Sequence, residues 1–182
     1  MKLIATGFED LYLLEPQVFG DERGFFMESF NAKVFKDLGL DFNFIQDNQS
    51  LSKEGVVRGL HFQNWPHAQT KLVRVLSGTI LDVVVDLRRD QPTFGKHFSV
   101  ELSAEKKQQI YVPKGFAHGF SVLSESAEIL YKCDVGYHPG SQGGVLYNDP
   151  SLGIDWRVPE SKILLSEKDK VNPVLAEANL KF

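Results

Sequence analysis

Cysteine occurs once in this chain of 182 residues, at Cys133. One thiol makes no internal disulfide and no multi-cysteine metal cluster. A basic surplus is also missing. Lys and Arg number 20 against 24 Asp and Glu, a formal net charge of −4. Nucleic-acid binding is driven largely by cations that displace counterions, so no nucleic-acid partner is expected. No apolar run approaches the roughly 18 residues needed to cross a bilayer. The first ten residues, Met1 to Asp10, lack the apolar centre of a signal peptide. These absences point away from a secreted, membrane-bound or disordered protein and toward a soluble intracellular chain. With 42% hydrophobic residues, residues 1–182 are expected to form a single domain with a sizeable core.

Helix signals are few. The clearest runs from Asn31, a capping residue, through Ala32, Phe35 and Leu38 to Gly39, a stop. A second short helix is expected near Ser161 to Ser166. Strand signals fill the middle: 56–63, 71–77, 79–87, 97–102, 108–112, 118–123 and 128–135 are short, rich in Val, Ile, Leu, Phe and Tyr, and separated by turn residues. Ser77-Gly78 reads as a tight hairpin turn. In Thr79–Leu87 the odd positions Leu81, Val83, Val85 and Leu87 are apolar, with Asp82 and Asp86 opposite, so a half-buried antiparallel strand is expected. Many short strands with few helices imply an all-β jelly-roll barrel, with the N-terminal third as an extension over an edge or onto a second subunit.

Strand parity then picks out polar residues on apolar faces. Lys71 alternates with Val73 and Val75. Tyr131 alternates with Ile129, Cys133 and Val135. Gln46 and Asn48 follow Phe42 and Phe44. If these faces turn inward, a cation, a phenol and two carboxamides line the barrel, and a buried lysine needs a partner or a shifted pKa. Alternatively Lys71 sits at a strand end and reaches water. Arg58 and His61 have opposite parity, and a bend at Gly59 is needed to bring them to one side.

Pro113-Lys114-Gly115-Phe116-Ala117-His118 matches the PxGxxH half of the second cupin motif. The first cupin motif does not follow. His61-Phe62-Gln63 has one histidine where two are required, and the glutamate position ahead of Gly78 holds Lys71. A protonated amine cannot ligate a divalent cation. No metal or other cofactor is expected, and the pattern points to acid–base chemistry with a lysine as electrophile.

One family joins these fragments. Asp21-Glu22-Arg23-Gly24-Phe25-Phe26, Gln46-Asp47-Asn48, Arg58-Gly59-Leu60-His61-Phe62-Gln63, Lys71-Leu72-Val73-Arg74, the Pro113–Phe120 block, Tyr131-Lys132, Asp149-Pro150 and Ser166-Glu167-Lys168-Asp169 stand in the order and spacing of that family. Together they closely resemble the dTDP-4-dehydrorhamnose 3,5-epimerases, from about residue 5 to residue 170. The resemblance implies a cupin-like jelly roll, cytoplasmic and homodimeric, acting in dTDP-L-rhamnose synthesis for surface polysaccharides. The implied substrate is dTDP-4-dehydro-6-deoxy-α-D-glucose, a dTDP-linked 4-keto-6-deoxy sugar whose C3 and C5 protons are acidified by the C4 ketone.

The resemblance also implies roles. His61 corresponds to the base, Asp169 to the carboxylate that orients it, Tyr131 to the proton donor and Lys71 to the group that steadies the enolate. Arg23 and Arg58 suit the diphosphate, where a guanidinium fork matches phosphate oxygens. Glu28, Gln46, Asp47, Asn48, His118 and Lys168 correspond to further substrate contacts. Tyr137 corresponds to the aromatic residue stacked on thymine. Arg23 and Glu28 are expected to reach the partner subunit's site. One position departs: the family usually has Pro-x-x-Glu after the stacking tyrosine, and here Pro139-Gly140-Ser141-Gln142 supplies a carboxamide. A single-position epimerase, a ketoisomerase or a non-catalytic nucleotide-sugar binder are the alternatives.

Overall fold

The computed structural model describes residues 1–40 and 43–182. In chain order its strands are β1 (Lys2–Ala5), β2 (Tyr12–Glu15), β3 (Val18–Asp21), β4 (Gly24–Met27), β5 (Gln46–Lys53), β6 (Val57–Gln63), β7 (Lys71–Ser77), β8 (Thr79–Asp86), β9 (His97–Ser103), β10 (Gln109–Val112), β11 (Phe116–Val122), β12 (Ser126–Cys133) and β13 (Gln142–Gly144). Helix α1 (Ala32–Asp37) precedes β5, and α2 (Glu167–Lys170) follows β13. Among the described residues there are also three short 3-10 turns.

Two antiparallel sheets face each other as a jelly roll. One has the order β1-β2-β10-β7-β12-β5 and the other β13-β6-β11-β8-β9. The β3–β4 hairpin stands apart as its own two-stranded sheet. The inner faces meet in a cluster that includes Val73, Val75, Ile80, Val84, Ile110, Phe116, Phe120 and Ile129. Each such side chain removed from water stabilises the fold by roughly 1.5–3 kcal/mol. The C-terminal segment covers the outer face of the five-stranded sheet, where Trp156, Leu175 and Val145 pack on Leu60, Leu81, Val83 and Val85. Helix α1 covers part of the other sheet by setting Phe35 against Leu14, Leu72 and Tyr111. Among the described residues no helix is long and apolar enough to cross a membrane.

Local chemistry explains α1. The Asn31 side chain accepts from the backbone N–H groups of Lys33 and Val34 at 3.0 and 3.3 Å, satisfying donors that the first turn leaves open. Gly39 ends the turn with φ +84°, a conformation that disfavours residues bearing a Cβ.

Three expectations change. Ser77-Gly78 makes a tight turn but no hairpin: β7 pairs with β10 and β12, while β8 pairs with β9 and β11, so the turn carries the chain from one sheet to the other. Strand β8 is buried on both faces, with Asp82 and Asp86 fully enclosed. Its odd positions meet the C-terminal cover and its even positions the barrel interior, so the alternation separates two interiors instead of core from solvent. The expected helix near Ser161–Ser166 is a 3-10 turn at Glu160–Lys162, and Ser166 caps α2, its hydroxyl accepting from the Asp169 N–H at 3.1 Å. Phe42, part of the parity reading around Gln46, lies outside the described residues.

Candidate active site

The site begins with a one-residue irregularity in β6. Arg58 pairs with Phe120 and His61 with His118, so Gly59 and Leu60 stand opposite Gly119 alone. This is a β-bulge, and its extra residue resets the alternation of the strand. Val57, Leu60 and Phe62 join the C-terminal cover, whereas Arg58 and His61 both face the barrel cavity. Glycine is required here. Gly59 has φ +134°, and a Cβ on it would lie 2.6 Å from the Gly119 Cα. A Cβ on Gly119 would lie 2.7 Å from the Arg58 carbonyl oxygen.

The cavity has a volume of about 430 Å³ and is lined by Arg58, His61, Lys71, His118, Tyr131 and Asp169, with Gln142 and Lys168 at its rim. His61, Lys71, Tyr131 and Gln142 also line an adjoining hollow of about 160 Å³, which Gln46, Asn48 and Tyr137 share. His61 comes from the five-stranded sheet, and Lys71 and Tyr131 come from the six-stranded sheet. The imidazole and the phenol therefore approach the cavity from opposite walls.

Two histidine–carboxylate pairs stand at the cavity, His61 with Asp169 and His118 with Asp82. His61 Nε2 lies 2.5 Å from Asp169 Oδ1. Burial works to raise the Asp169 carboxyl, but the hydrogen bond and charge of His61, with bonds from Ser166 and the Gly59 backbone, hold it below its usual value. An ionised Asp169 can only accept, so Nε2–H donates the hydrogen bond and the lone pair of an unprotonated ring stands at Nδ1. Burial pushes the Tyr131 phenol up, with Cys133 adding to the effect and Arg58 opposing it. Tyr131 thus remains a proton-bearing acid at neutral pH. Burial pushes the Lys71 amine down, against the pull of Cys133 and Asp82.

Asp82 stands opposite the apolar odd positions of β8, where a half-buried strand would face solvent. It lies fully buried, and its Oδ2 is 2.8 Å from His118 Nε2. Its Oδ1 has no hydrogen-bond partner among the described residues. The signal was present: Ile80 and Val84 flank it on the same face of β8, and both belong to the barrel core. Ser52, which no motif in the sequence marks, accepts from Arg58 Nε at 3.0 Å through its hydroxyl.

The remaining residues divide by position. Gln46 Nε2 donates to Asn48 Oδ1 at 3.0 Å, and Gln46 Oε1 accepts from the Tyr137 N–H at 3.1 Å. Asp47, between them on β5, points away from the cavity and pairs with Lys132 at 3.0 Å. Arg23 pairs with Asp21 on the exposed hairpin, and Glu28 accepts from Asn31 Nδ2 at 3.0 Å. Neither Arg23 nor Glu28 lines the cavity of its own chain. Among the described residues no three His, Cys, Asp or Glu side chains converge as a metal set.

Known proteins share this architecture. The family profile described as dTDP-4-dehydrorhamnose 3,5-epimerase matches residues 5–177. The protein of that name from Salmonella typhimurium is 51% identical, over 99% of this chain and 98% of its own. The crystal structure of a dTDP-4-dehydrorhamnose 3,5-epimerase from Elizabethkingia anophelis superposes with a TM-score of 0.93 at 54% identity, covering 97% of both chains. The dTDP-6-deoxy-D-glucose-3,5-epimerase of Legionella pneumophila, solved in complex with dTDP-4-keto-L-rhamnose, has a TM-score of 0.95 at 46% identity over 100% of this chain and 98% of that one. A 3'-monoepimerase from Streptomyces bikiniensis, in complex with dTDP-quinovose, has a TM-score of 0.89 at 35% identity over 95% and 87%. From the matched profile and the full-length identity, the chain belongs to the dTDP-4-dehydrorhamnose 3,5-epimerase family.

Proposed function

We propose that this protein inverts C3 and C5 of dTDP-4-dehydro-6-deoxy-α-D-glucose to give dTDP-4-dehydro-β-L-rhamnose. The observation that carries the reading is the convergence of the His61–Asp169 pair, Tyr131 and Lys71 on one cavity. The C4 ketone acidifies the hydrogens on both neighbouring carbons. His61 removes one of them through Nδ1, and Asp169 stabilises the imidazolium that forms. The electron pair moves onto the C4 oxygen, where the Lys71 ammonium steadies the enolate. Preorganised charge of this kind contributes roughly 3–4 kcal/mol. Tyr131 delivers a proton to the opposite face of the carbon, and inversion follows. The imidazolium returns its proton to solvent and the phenolate recovers one, so the cycle balances and repeats at the second carbon.

The nucleotide is read by the rim. Arg58 and Lys168 supply cations for the diphosphate, His118, Gln46 and Asn48 supply hydrogen-bonding groups, and the half-exposed Tyr137 ring offers a stacking face for thymine. Asp47, Arg23 and Glu28 complete the set from outside the cavity. The chain works as a homodimer in the cytoplasm, as one domain, without metal. Support for the dimer comes from the β3–β4 hairpin, whose Phe19, Phe25 and Phe26 are 56%, 58% and 70% exposed. Such a patch favours burial against a second copy, and that docking carries Arg23 and Glu28 into the partner's site.

The Streptomyces bikiniensis relative is named a 3'-monoepimerase, so inversion at C3 alone is the second reading. Product identification by ¹H NMR separates them. An L-configured 4-keto sugar is expected; a product inverted only at C3 would support the second reading, and unchanged substrate would overturn both.

A further inference from the structure

Gln142 occupies the junction of the two hollows, on the edge strand β13 paired to β6. Its Oε1 accepts from Lys168 Nζ at 2.6 Å and from the Tyr137 hydroxyl at 2.7 Å. Lys168 has only donors, so the carboxamide oxygen must face it. One neutral atom thereby ties together an ammonium on α2 and a phenol from the segment after β12. Those two groups come from separate parts of the chain, and neither is held by packing alone at this exposed rim.

Charge gives the arrangement its consequence. Among the described residues Lys168 meets no carboxylate within ion-pair distance; its neighbour Asp169 is committed to His61. Arg58 likewise bonds a neutral hydroxyl, that of Ser52. The rim therefore presents cations whose hydrogen-bond partners carry no charge. A carboxylate at this position would pair with Lys168 and set a negative charge beside the incoming phosphates.

We infer that Gln142 is an uncharged positioning residue that fixes Lys168 and Tyr137 while leaving the full Lys168 charge for the diphosphate, so that it strengthens binding of the anionic part of the nucleotide selectively. The inference rests on the dTDP-sugar reading and extends it to one residue of this chain. It has two separable parts. The hydrogen bonds hold the ammonium and the phenol in place whatever the ligand's charge. The neutrality acts only on a ligand that carries phosphate.

The test compares two ligands, dTDP and thymidine, which differ in the diphosphate. Binding is measured by calorimetry for dTDP and by NMR titration for thymidine. For Gln142→Glu, dTDP is expected to bind about tenfold more weakly than to the unaltered protein, the effect of one charge at a solvent-facing site. Thymidine affinity should stay within about twofold. For Gln142→Met, which keeps the bulk and removes the acceptor, both ligands should weaken by a few-fold. An unchanged dTDP affinity in Gln142→Glu would overturn the inference. So would equal losses for dTDP and thymidine in that variant, because a merely structural defect does not distinguish them. Full affinity for both ligands in Gln142→Met would overturn the positioning part. Failure of the unaltered protein to bind dTDP would instead remove the nucleotide-sugar reading itself.

Discussion

His61 Nε2 stands 2.5 Å from Asp169 Oδ1, across 108 residues of chain. One partner lies on β6 beside a β-bulge, the other on a four-residue helix capped by Ser166. In the proposed cycle the carboxylate fixes which ring nitrogen carries the proton and stabilises the cation that forms when the other nitrogen takes one. Asp169→Asn keeps the shape and removes both effects. Its kcat is expected to fall by on the order of 10²–10⁴, with dTDP affinity retained. His61→Ala should abolish turnover while dTDP still binds. Turnover at the normal rate in either variant would remove the proposed base.

Lys71 and Tyr131 test the other half of the cycle. Lys71→Ala should lower kcat by on the order of 10²–10³ through loss of the group facing the enolate oxygen. Tyr131→Phe should stop inversion while His61 still exchanges the substrate's acidic hydrogens with solvent. Steady-state kinetics reads the first variant and NMR exchange the second. Inversion at the full rate in Tyr131→Phe would assign the acid elsewhere.

Most of the barrel was legible because its strands are short apolar runs between turn residues. Parity also put Lys71 on the face of Val73 and Val75 and Tyr131 on the face of Ile129. These faces turn inward because the pairing is regular from Lys71 to Val75 and from Ile129 to Cys133; the one register shift between β7 and β12 lies beyond them, at Glu128. It failed at β6, where Arg58 and His61 share a wall only through the extra residue at Gly59. Nothing in a period-two pattern announces a bulge. Asp82 was misplaced for a different reason: the alternation in β8 divides two buried clusters, and a sequence does not show that a second layer covers the outer face. Asp169 sits in a charged run, Glu167-Lys168-Asp169-Lys170, that reads as solvated; only the fold brings its carboxylate to 3% exposure beside His61.

The bulge should be costly to alter. Gly59→Ala places a Cβ against the Gly119 backbone at a φ that side chains rarely adopt. A loss of roughly 2–3 kcal/mol is expected, about 5–10 °C in Tm for a chain of this size. Calorimetry of the variant measures it. An unchanged Tm would show that β6 accommodates a side chain there.

Acid dependence carries a definite sign. The Asp169 carboxyl is held below its unfolded-state value, so it adds stability above about pH 4 and loses that contribution as the pH falls through the lower folded-state value. Thermal unfolding from pH 5 to pH 2 should therefore show a shallower decline in Asp169→Asn than in the unaltered protein. Equal slopes would contradict the pairing.

The exposed hairpin gives the dimer its test. Phe26→Asp puts a charge in the middle of the Phe19, Phe25 and Phe26 patch. Sedimentation should show a dimer for the unaltered protein and monomers for the variant. kcat/KM should fall at least tenfold as Arg23 and Glu28 leave the partner's site. A fully active monomer would contradict the shared site.

Turnover in deuterated buffer, followed by NMR, reaches the central chemistry most directly. The expected product is L-configured and carries solvent deuterium at both C3 and C5. An inverted product without label at either carbon would mean that no proton leaves to the cavity's side chains, and the His61, Lys71 and Tyr131 account would not stand.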